Sequence, residues 1–269
     1  MTQETLYVTE TGSIVTVTLN RPARRNALNP EMVEELQRVI DGMGRRSGGV
    51  MILTGSGAAF CAGLDLEHLK SLAHKSPAEH REDSERIAHL FRSLYDLPLP
   101  TIAAVNGHAI AGGTGLATIC DLTLAVPEAK FGYTEARVGF VPALVSCFLS
   151  LQVGEKKARD LLLTARLISA EEARQMGLVN ELVDGSGLIA RAEHLAQQLL
   201  QNSPESLRAT KLLLSSHAKV KLDRELKAAI EANAAARDTD DFREGISAFL
   251  EKRPPRWLPH GNGAAGDKK

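Results

Sequence analysis

Two short alternating runs open the chain. Leu6 and Val8 alternate with Tyr7 and Thr9; past Thr11-Gly12-Ser13, Val15, Val17 and Leu19 alternate with Thr16 and Thr18. Successive side chains of a strand point to opposite faces, so this pattern predicts a hairpin over 6–20. The period then changes. Asn29 stands as an N-cap before Pro30, and Met32, Leu36, Val39, Ile40 and Met43 give one apolar helical face. Residues 50–53 (VMIL) form a wholly apolar run, read as a buried strand. Ile87, Leu90, Phe91, Leu94 and Tyr95 mark an amphipathic helix that Pro98 and Pro100 stop.

Residues 101–105 are the next strand, and Leu122, Leu124 and Val126 mark another. Between them lie a glycine-rich turn and about two turns of helix from Gly112. Past Glu135 the chain reads as mostly helical. Ser169-Ala170-Glu171-Glu172 has capping-box spacing, and Ser203-Pro204 starts a further helix. Ile189, Ala192, Leu195, Ala196 and Leu199 make one apolar stripe; Phe242, Ile246, Phe249 and Leu250 make another. Residues 67–82 are polar and carry His68, His74 and His80, read as a mobile surface segment rather than a metal site, because the spacing suits no tight ligand set. Strands followed by helices at irregular spacing predict a mixed α/β class and leave the topology open.

Composition narrows the function classes. A chain of 269 residues can bury a large core as one big domain, or as a core with a helical appendage. Its net charge of −1 gives no basic field for nucleic acid. Cys61, Cys120 and Cys147 form no CxxC pair and leave an odd count, which argues for a reducing, cytoplasmic compartment. No apolar run approaches about 18 residues, so no membrane span is expected. The N-terminus lacks the basic-then-apolar pattern of a signal peptide.

The chemistry points to two small-residue loops. Residues 55–66 (GSGAAFCAGLDL) follow a strand, and residues 106–135 run from a glycine-rich turn through a short helix to a lone carboxylate, Glu135. A helix start leaves unpaired N–H groups and a partial positive charge, which attract a phosphate, a carboxylate or a developing oxyanion. Gly112 and Gly113 let a ligand approach closely, and an N–H near Gly63-Leu64 completes a two-donor hole. Gly55-x-Gly57 puts Phe60 where GxGxxG needs its third glycine, and no P-loop or GxSxG motif is present. Cys61 sits in the right loop for a nucleophile, but no histidine has an evident role beside it, and it reads as a small packed thiol. A Glu135 desolvated by its aromatic and apolar neighbours would have its basicity raised toward neutral pH.

The segments LNRPARRNAL, GAAFCAGLDL, AVNGHAIAGGTGLATICDLTLA, KFGYTEARVGFVP, LLLTARLISAEEARQMGLVNELV and AFLEKR resemble the crotonase (enoyl-CoA hydratase/isomerase) superfamily over nearly the whole chain. The resemblance implies an α/β spiral of ββα units over 1–195 and a helical C-terminal trimerisation region over 196–258; the Gly/Ala-rich composition of 259–269 leads to the expectation of a disordered tail. Trimers, often paired as hexamers, are implied. The implied substrate is an acyl-CoA thioester, with no cofactor besides the coenzyme A it carries. Its carbonyl would sit between the N–H groups of Leu64 and Gly112, with Glu135 as the proton carrier. Arg24, Arg25 and Ala27, faced by Ala62, would hold the CoA; Gly113 and Gly115 would lie against substrate; Phe249 and Lys252 would reach a CoA, even that of a neighbouring subunit. No metal is expected.

One departure stands out. Hydratases of the superfamily usually carry two glutamates, and the first falls at Gly115 here; Thr114 beside it is no base at neutral pH, though it could hold a water. The leading expectation is an enoyl-CoA hydratase or dehydratase with a single catalytic glutamate. The alternatives are a Δ3,Δ2-enoyl-CoA isomerase and a non-catalytic acyl-CoA-binding subunit. Leu64 and residues 138–148 are expected to shape an apolar acyl pocket.

Overall fold

The computed structural model describes residues 5–72 and 75–258. The alternation at the start forms its hairpin: β1 (Leu6–Thr11) and β2 (Ile14–Leu19) pair antiparallel, with Leu6 opposite Leu19. Val15, Val17 and Leu19 are buried, while the outer face of β1 is exposed. Asn29 caps α1 (Pro30–Gly44) by accepting from the Met32 N–H.

The chain then winds in turns that send one strand to a first sheet and the next to a second. The first turn is β3 (Val50–Gly55) and β4 (Ala59–Cys61), followed by α2 (Leu66–Leu72) and α3 (Pro77–Asp96). The second is β5 (Thr101–Val105), β6 (His108–Ile110) and α4 (Gly112–Ile119); the third is β7 (Leu122–Ala125), β8 (Lys130–Gly132) and α5 (Ala143–Thr164). A last, reversed pair follows: β9 (Ile168–Ser169), α6 (Ala170–Met176) and β10 (Glu181–Leu182). The first sheet runs β1-β2-β3-β5-β7-β10 and the second β4-β6-β8-β9. From β2 through β10 the first sheet is parallel, and its central strands are buried on both faces. This is the spiral of ββα units.

Three helices complete the chain: α7 (Leu188–Leu200), α8 (Pro204–Ala236) and α9 (Asp240–Leu250). α7 lies on the first sheet, and α8 packs on α3 and α5, carrying Leu222 and Leu226 into the main core.

Several expectations change. Residues 55–66 are not all loop, because β4 lies inside them. The described residues of 67–82 are not a surface segment: 67–72 belong to α2 and 77–82 to the start of α3, and His80 is fully buried. His74 and the tail 259–269 lie outside the described residues. The reciprocal capping box is at Ser76 and Glu79; Ser169 caps α6, but the Glu172 carboxylate pairs with Arg166 at 2.7 Å instead of reaching back. The α7 stripe is rotated, so that Leu188 is buried and Ile189 is not; on α9, Phe242 and Ile246 face in while Phe249 is 59% exposed.

The α3–α8 contact encloses charge. Arg237, just past α8, is fully buried. Its Nη2 donates to Asp83 Oδ2 (2.7 Å), and its Nη1 donates to Ser84 Oγ (2.6 Å) and to the His80 carbonyl. His68 Nε2 lies 2.9 Å from Asp83 Oδ1. Burial pushes the Asp83 carboxyl up, but the His68 hydrogen bond and the Arg237 charge outweigh it and hold Asp83 below its usual range. Breaking such a pair leaves one charge stranded. Arg237→Met is therefore expected to cost about 3–5 kcal/mol, read from the urea midpoint; an unmoved midpoint would contradict the pairing.

Candidate active site

Three loops meet at one point. Asn26 is fully buried in the left-handed region (φ 55°). Its Nδ2 donates to the carbonyls of Ala59 (2.8 Å) and Ser56 (2.9 Å), and its Oδ1 accepts from the Arg21 N–H (2.8 Å). The side chain thus ties the basic loop to the loop after β3. The Ala62 N–H donates to the Arg25 carbonyl at 3.0 Å. The Leu28 N–H donates to the Gly63 carbonyl (2.7 Å), and the Asp65 N–H to the Leu28 carbonyl (2.9 Å). In this parallel bridge the intervening residue, Leu64, turns its own N–H to the other side. That N–H has no acceptor among the described residues. Asp65 is anchored by Arg21 at 2.8 Å.

The facing lip is the start of α4. Ala111 precedes it at φ 53°, and the first helical bond runs from the Gly115 N–H to the Ala111 carbonyl (3.2 Å). The Gly112 N–H, inside that first turn, has no acceptor among the described residues. The lips touch at Gly63 (φ 87°): a Cβ there would fall 2.9 Å from Ala111 Cβ and 3.2 Å from the Gly112 nitrogen. Two unspent amides therefore lie side by side.

Glu135 opens a 3-10 turn, Glu135–Val138, that Gly139 ends in the left-handed conformation (φ 67°). α9 braces this turn backbone to backbone. A Cβ on Gly139 would fall 2.1 Å from the Asp241 carbonyl oxygen, and one on Gly245 2.3 Å from the Val138 carbonyl. The Phe140 and Phe242 rings pack at 5.2 Å. Part of Glu135 remains accessible, but its Oε2 is sealed without a hydrogen-bond partner. Burial pushes the carboxyl up to about 7, against a small opposing pull from its own backbone N–H. Glu135, Leu64 and Gly112 line one cavity of about 60 Å³, with Phe91, Phe140 and Val145 in its apolar wall.

The other candidates sit elsewhere. Arg24 and Arg25 are exposed and Ala27 and Ala62 half-buried, on the loops beside the lips but outside the cavity wall. Gly113 faces protein: a Cβ there would overlap the Cys61 carbonyl oxygen at 2.1 Å, so it serves the packing of α4 on β4. A Cβ on Gly115 would meet Val145 Cγ1 at 2.6 Å. Val145 thus occupies the space a side chain at 115 would need. Thr114 has no hydroxyl to spare for water; it is buried, donates to the Ala109 carbonyl (2.6 Å) and accepts from the Gly132 N–H (3.1 Å). Phe249 and Lys252 are exposed and outside this cavity. The Cys61 thiol is pushed up to about 12 by burial, which fits a packed thiol and not a nucleophile. Among the described residues no cluster of three or more His, Cys, Asp or Glu could hold a metal ion. Of residues 138–148, Val138, Phe140 and the run 141–145 line the cavity, while Phe148 packs against Phe91 and Tyr95.

Sequence reasoning missed Asn26, the Gly139 and Gly245 contacts, and Asn233, which also lines the cavity. An asparagine between Arg25 and Ala27, at a place where the chain must reverse, is a recognisable left-handed signal. The glycine contacts pair residues more than a hundred positions apart and leave no local trace.

Two adjacent amides can polarise a carbonyl, and a carboxylate titrating near neutrality can move a proton at the carbon beside it. Such a site has the parts that an enolate-forming enzyme needs. Comparison with known proteins is specific. Residues 9–260 match the family described as enoyl-CoA hydratase/isomerase. A Thermus thermophilus protein with a provisional enoyl-CoA hydratase name is 46% identical over 92% of this chain and 98% of its own. The short-chain-enoyl-CoA hydratase of Clostridium acetobutylicum is 35% identical over 90% and 93%, and the crotonyl-CoA hydratase of Syntrophomonas wolfei 32% over 96% and 99%. The crystal structure of an enoyl-CoA hydratase/isomerase from Xanthobacter autotrophicus Py2 superposes with a TM-score of 0.87 at 29% identity, covering 96% of this chain and all of that one. The chain belongs to the enoyl-CoA hydratase/isomerase family and is an enzyme of that family, with the crotonase fold.

The raised Glu135 has a stability consequence. Its neutral form is favoured by folding, so folding is unpenalised below the unfolded value near 4.5 and loses stability as pH rises toward 7. Glu135→Gln removes that titration. Its melting temperature relative to wild type is expected to climb between pH 5 and pH 8; a constant offset would show that Glu135 is not buried as described.

Proposed function

We propose that this enzyme holds an acyl-CoA thioester with its carbonyl oxygen between the amides of Leu64 and Gly112, while Glu135 moves a proton at the adjacent carbon. The observation that carries the reading is the shared cavity, where two unspent N–H groups meet one desolvated carboxylate. Each amide would donate to the enolate oxygen; losing one such donor costs roughly 3 kcal/mol of barrier.

The leading reaction is hydration of an enoyl-CoA, or its reverse, supported by the hydratase names of the relatives. In the dehydration direction ionised Glu135 takes the proton from Cα, and the electron pair rests on the amide-bound oxygen. The Cβ–O bond then breaks, and the departing hydroxide takes the proton from Glu135 as water. The second reading is isomerisation, in which Glu135 carries one proton between Cα and Cγ. What favours it is Gly115: Val145 and Phe91 fill the wall there, and no second carboxylate lines the cavity among the described residues.

The arginines Arg24 and Arg25, with Ala27 and Ala62, would hold the CoA, since they stand on the loops that carry the lips. Neither reaction draws on a cofactor beyond the CoA of the substrate. Exposed Leu212, Leu213, Leu214 and Val220 on α8 fit assembly into a trimer or hexamer, in which Phe249 and Lys252 would reach the CoA of a neighbouring copy. The three buried free cysteines suit a cytoplasmic location, and no described helix is long and apolar enough to cross a membrane.

Incubation with 2-enoyl-CoA and 3-enoyl-CoA in separate reactions decides between the readings: water addition is expected, and its absence from every 2-enoyl-CoA removes hydration. Exchange of the Cα proton for deuterium should rise with pH along a single limb centred near 7 and fall by orders of magnitude in Glu135→Gln. Gly63→Ala should push the lips apart and lower kcat about a hundredfold, by misplacing the Leu64 amide; unchanged kcat would mean that this amide does not touch the reacting oxygen.

A further inference from the structure

The proposed chemistry leaves one polar side chain of the cavity wall without a task. Asn233, on α8, is 4% exposed and lines the same cavity as Leu64, Gly112 and Glu135. Around it the wall is apolar, with Leu69, Ile87, Phe91 and Phe140. Asn233 Oδ1 accepts from Ser84 Oγ at 2.9 Å. The Ser84 hydroxyl has one proton and two acceptors in reach, Asn233 Oδ1 and the His80 carbonyl (2.9 Å). The His80 carbonyl is already served by Arg237 Nη1, which also donates to Ser84 Oγ. Ser84 Oγ, which accepts from Arg237 Nη1, donates to Asn233 Oδ1, so the carbonyl side of the amide faces α3. The Nδ2 of Asn233 meets no acceptor among the described residues, nor is it one of the polar atoms sealed in without a partner. It opens on the cavity.

Position says which part of a substrate it meets. Phe91 lies beside the start of α4, 3.7 Å from where a Gly112 Cβ would stand. Ser84, the partner of Asn233, lies seven residues earlier on α3, about 10 Å along the helix axis. The free amide donor therefore stands at the end of the cavity away from the thioester. Charge says what kind of group it takes. The Arg237 cation is engaged by Asp83, and no cation lines the cavity among the described residues.

We infer that Asn233 is a specificity-determining residue that donates a hydrogen bond to a neutral oxygen (ether, ketone or hydroxyl) on the distal part of the acyl chain. The inference rests on the acyl-CoA reading above. A polar group built into an apolar pocket discriminates against the analogue that leaves it unpaired.

The test uses 2-enoyl-CoAs of equal length in which an ether oxygen replaces one methylene at successive positions, with the all-carbon chain as reference. For wild type, one position should raise kcat/KM about tenfold or more over the all-carbon chain. Asn233→Leu should abolish that preference and favour the all-carbon chain, and Asn233→Ser should weaken it. The inference is overturned if wild type shows no preferred position, or if a chain ending in a carboxylate is turned over better than every ether. The wild-type comparison decides even if neither variant folds. Deuterium exchange at Cα of the corresponding saturated acyl-CoAs separates the two failures: exchange without a preferred ether position sinks the role of Asn233 alone, whereas no exchange with any compound sinks the acyl-CoA reading with it.

Discussion

The close approach of Gly63 to the start of α4 is the contact on which the site depends. It brings the end of the second sheet's first strand against the helix that follows its second, so that Leu64 and Gly112 present N–H groups side by side. Neither group is spent on another described residue. Unspent amides in a partly closed cavity are unfavourable, because water and protein both under-serve them. They persist because neighbouring bonds are saturated: Leu28 bridges residues 63 and 65, Asp65 is held by Arg21, and Ala111 is tied to Gly132. A ligand oxygen would relieve both donors at once. The same logic explains why small residues crowd this region. Gly113 on Cys61 allows the helix to lie against β4 at backbone distance.

Glu135 is the second destabilised group, and the C-terminal helix is what keeps it so. Without α9 pressed on the 135–138 turn, the carboxylate would relax toward water and toward its ordinary acidity. Gly139 against Asp241 and Gly245 against Val138 leave no room for that relaxation. The last helix among the described residues is thereby packed on the turn that carries the group proposed to move the proton, a link between fold and chemistry that packing supplies and charge does not. Phe140 takes part in both, lining the cavity while packing on Phe242 and lying 5.7 Å from the Arg237 guanidinium.

Much of this was legible from residues alone, and the boundary is physical. The alternation of Val15, Val17 and Leu19, the Asn29-Pro30 helix start and the strand over residues 101–105 are local signals, and each forms as read. Leu64 and Gly112 were proposed from backbone geometry, since glycines before a helix start leave donors free, and Glu135 from the resemblance; the structure places all three on one cavity. The short strands β4 and β6 were missed: three residues are too few to show a period, and they hold only because the spiral stacks them on one another. His80 looked solvated in a polar run, but α8 covers it, and Arg237 is the residue that completes its surroundings. Phe249 shares a spacing stripe with Phe242 and Ile246, yet α9 turns it outward because those two already fill the contact with Phe140 and Leu69.

Gly115 carries the deepest consequence for chemistry. In a site that uses two carboxylates to place a water, both must reach the same side of the double bond. Here the position is glycine, and the volume belongs to Val145 Cγ1 and the Phe91 ring. On the proposed chemistry, an apolar wall at that point would strengthen the amide donors on an enolate, and burial already raises the Glu135 carboxyl to about 7. It also gives a water fewer partners than the two to four it needs to be held. On that proposed chemistry, a glycine at 115 favours a drier proton shuttle over the positioning of a water. Any water that adds must be oriented by Glu135 itself, or by an oxygen the substrate brings along. Wall and base thus act as one device, in which the dryness that raises the Glu135 carboxyl is the same dryness that restricts what else can enter.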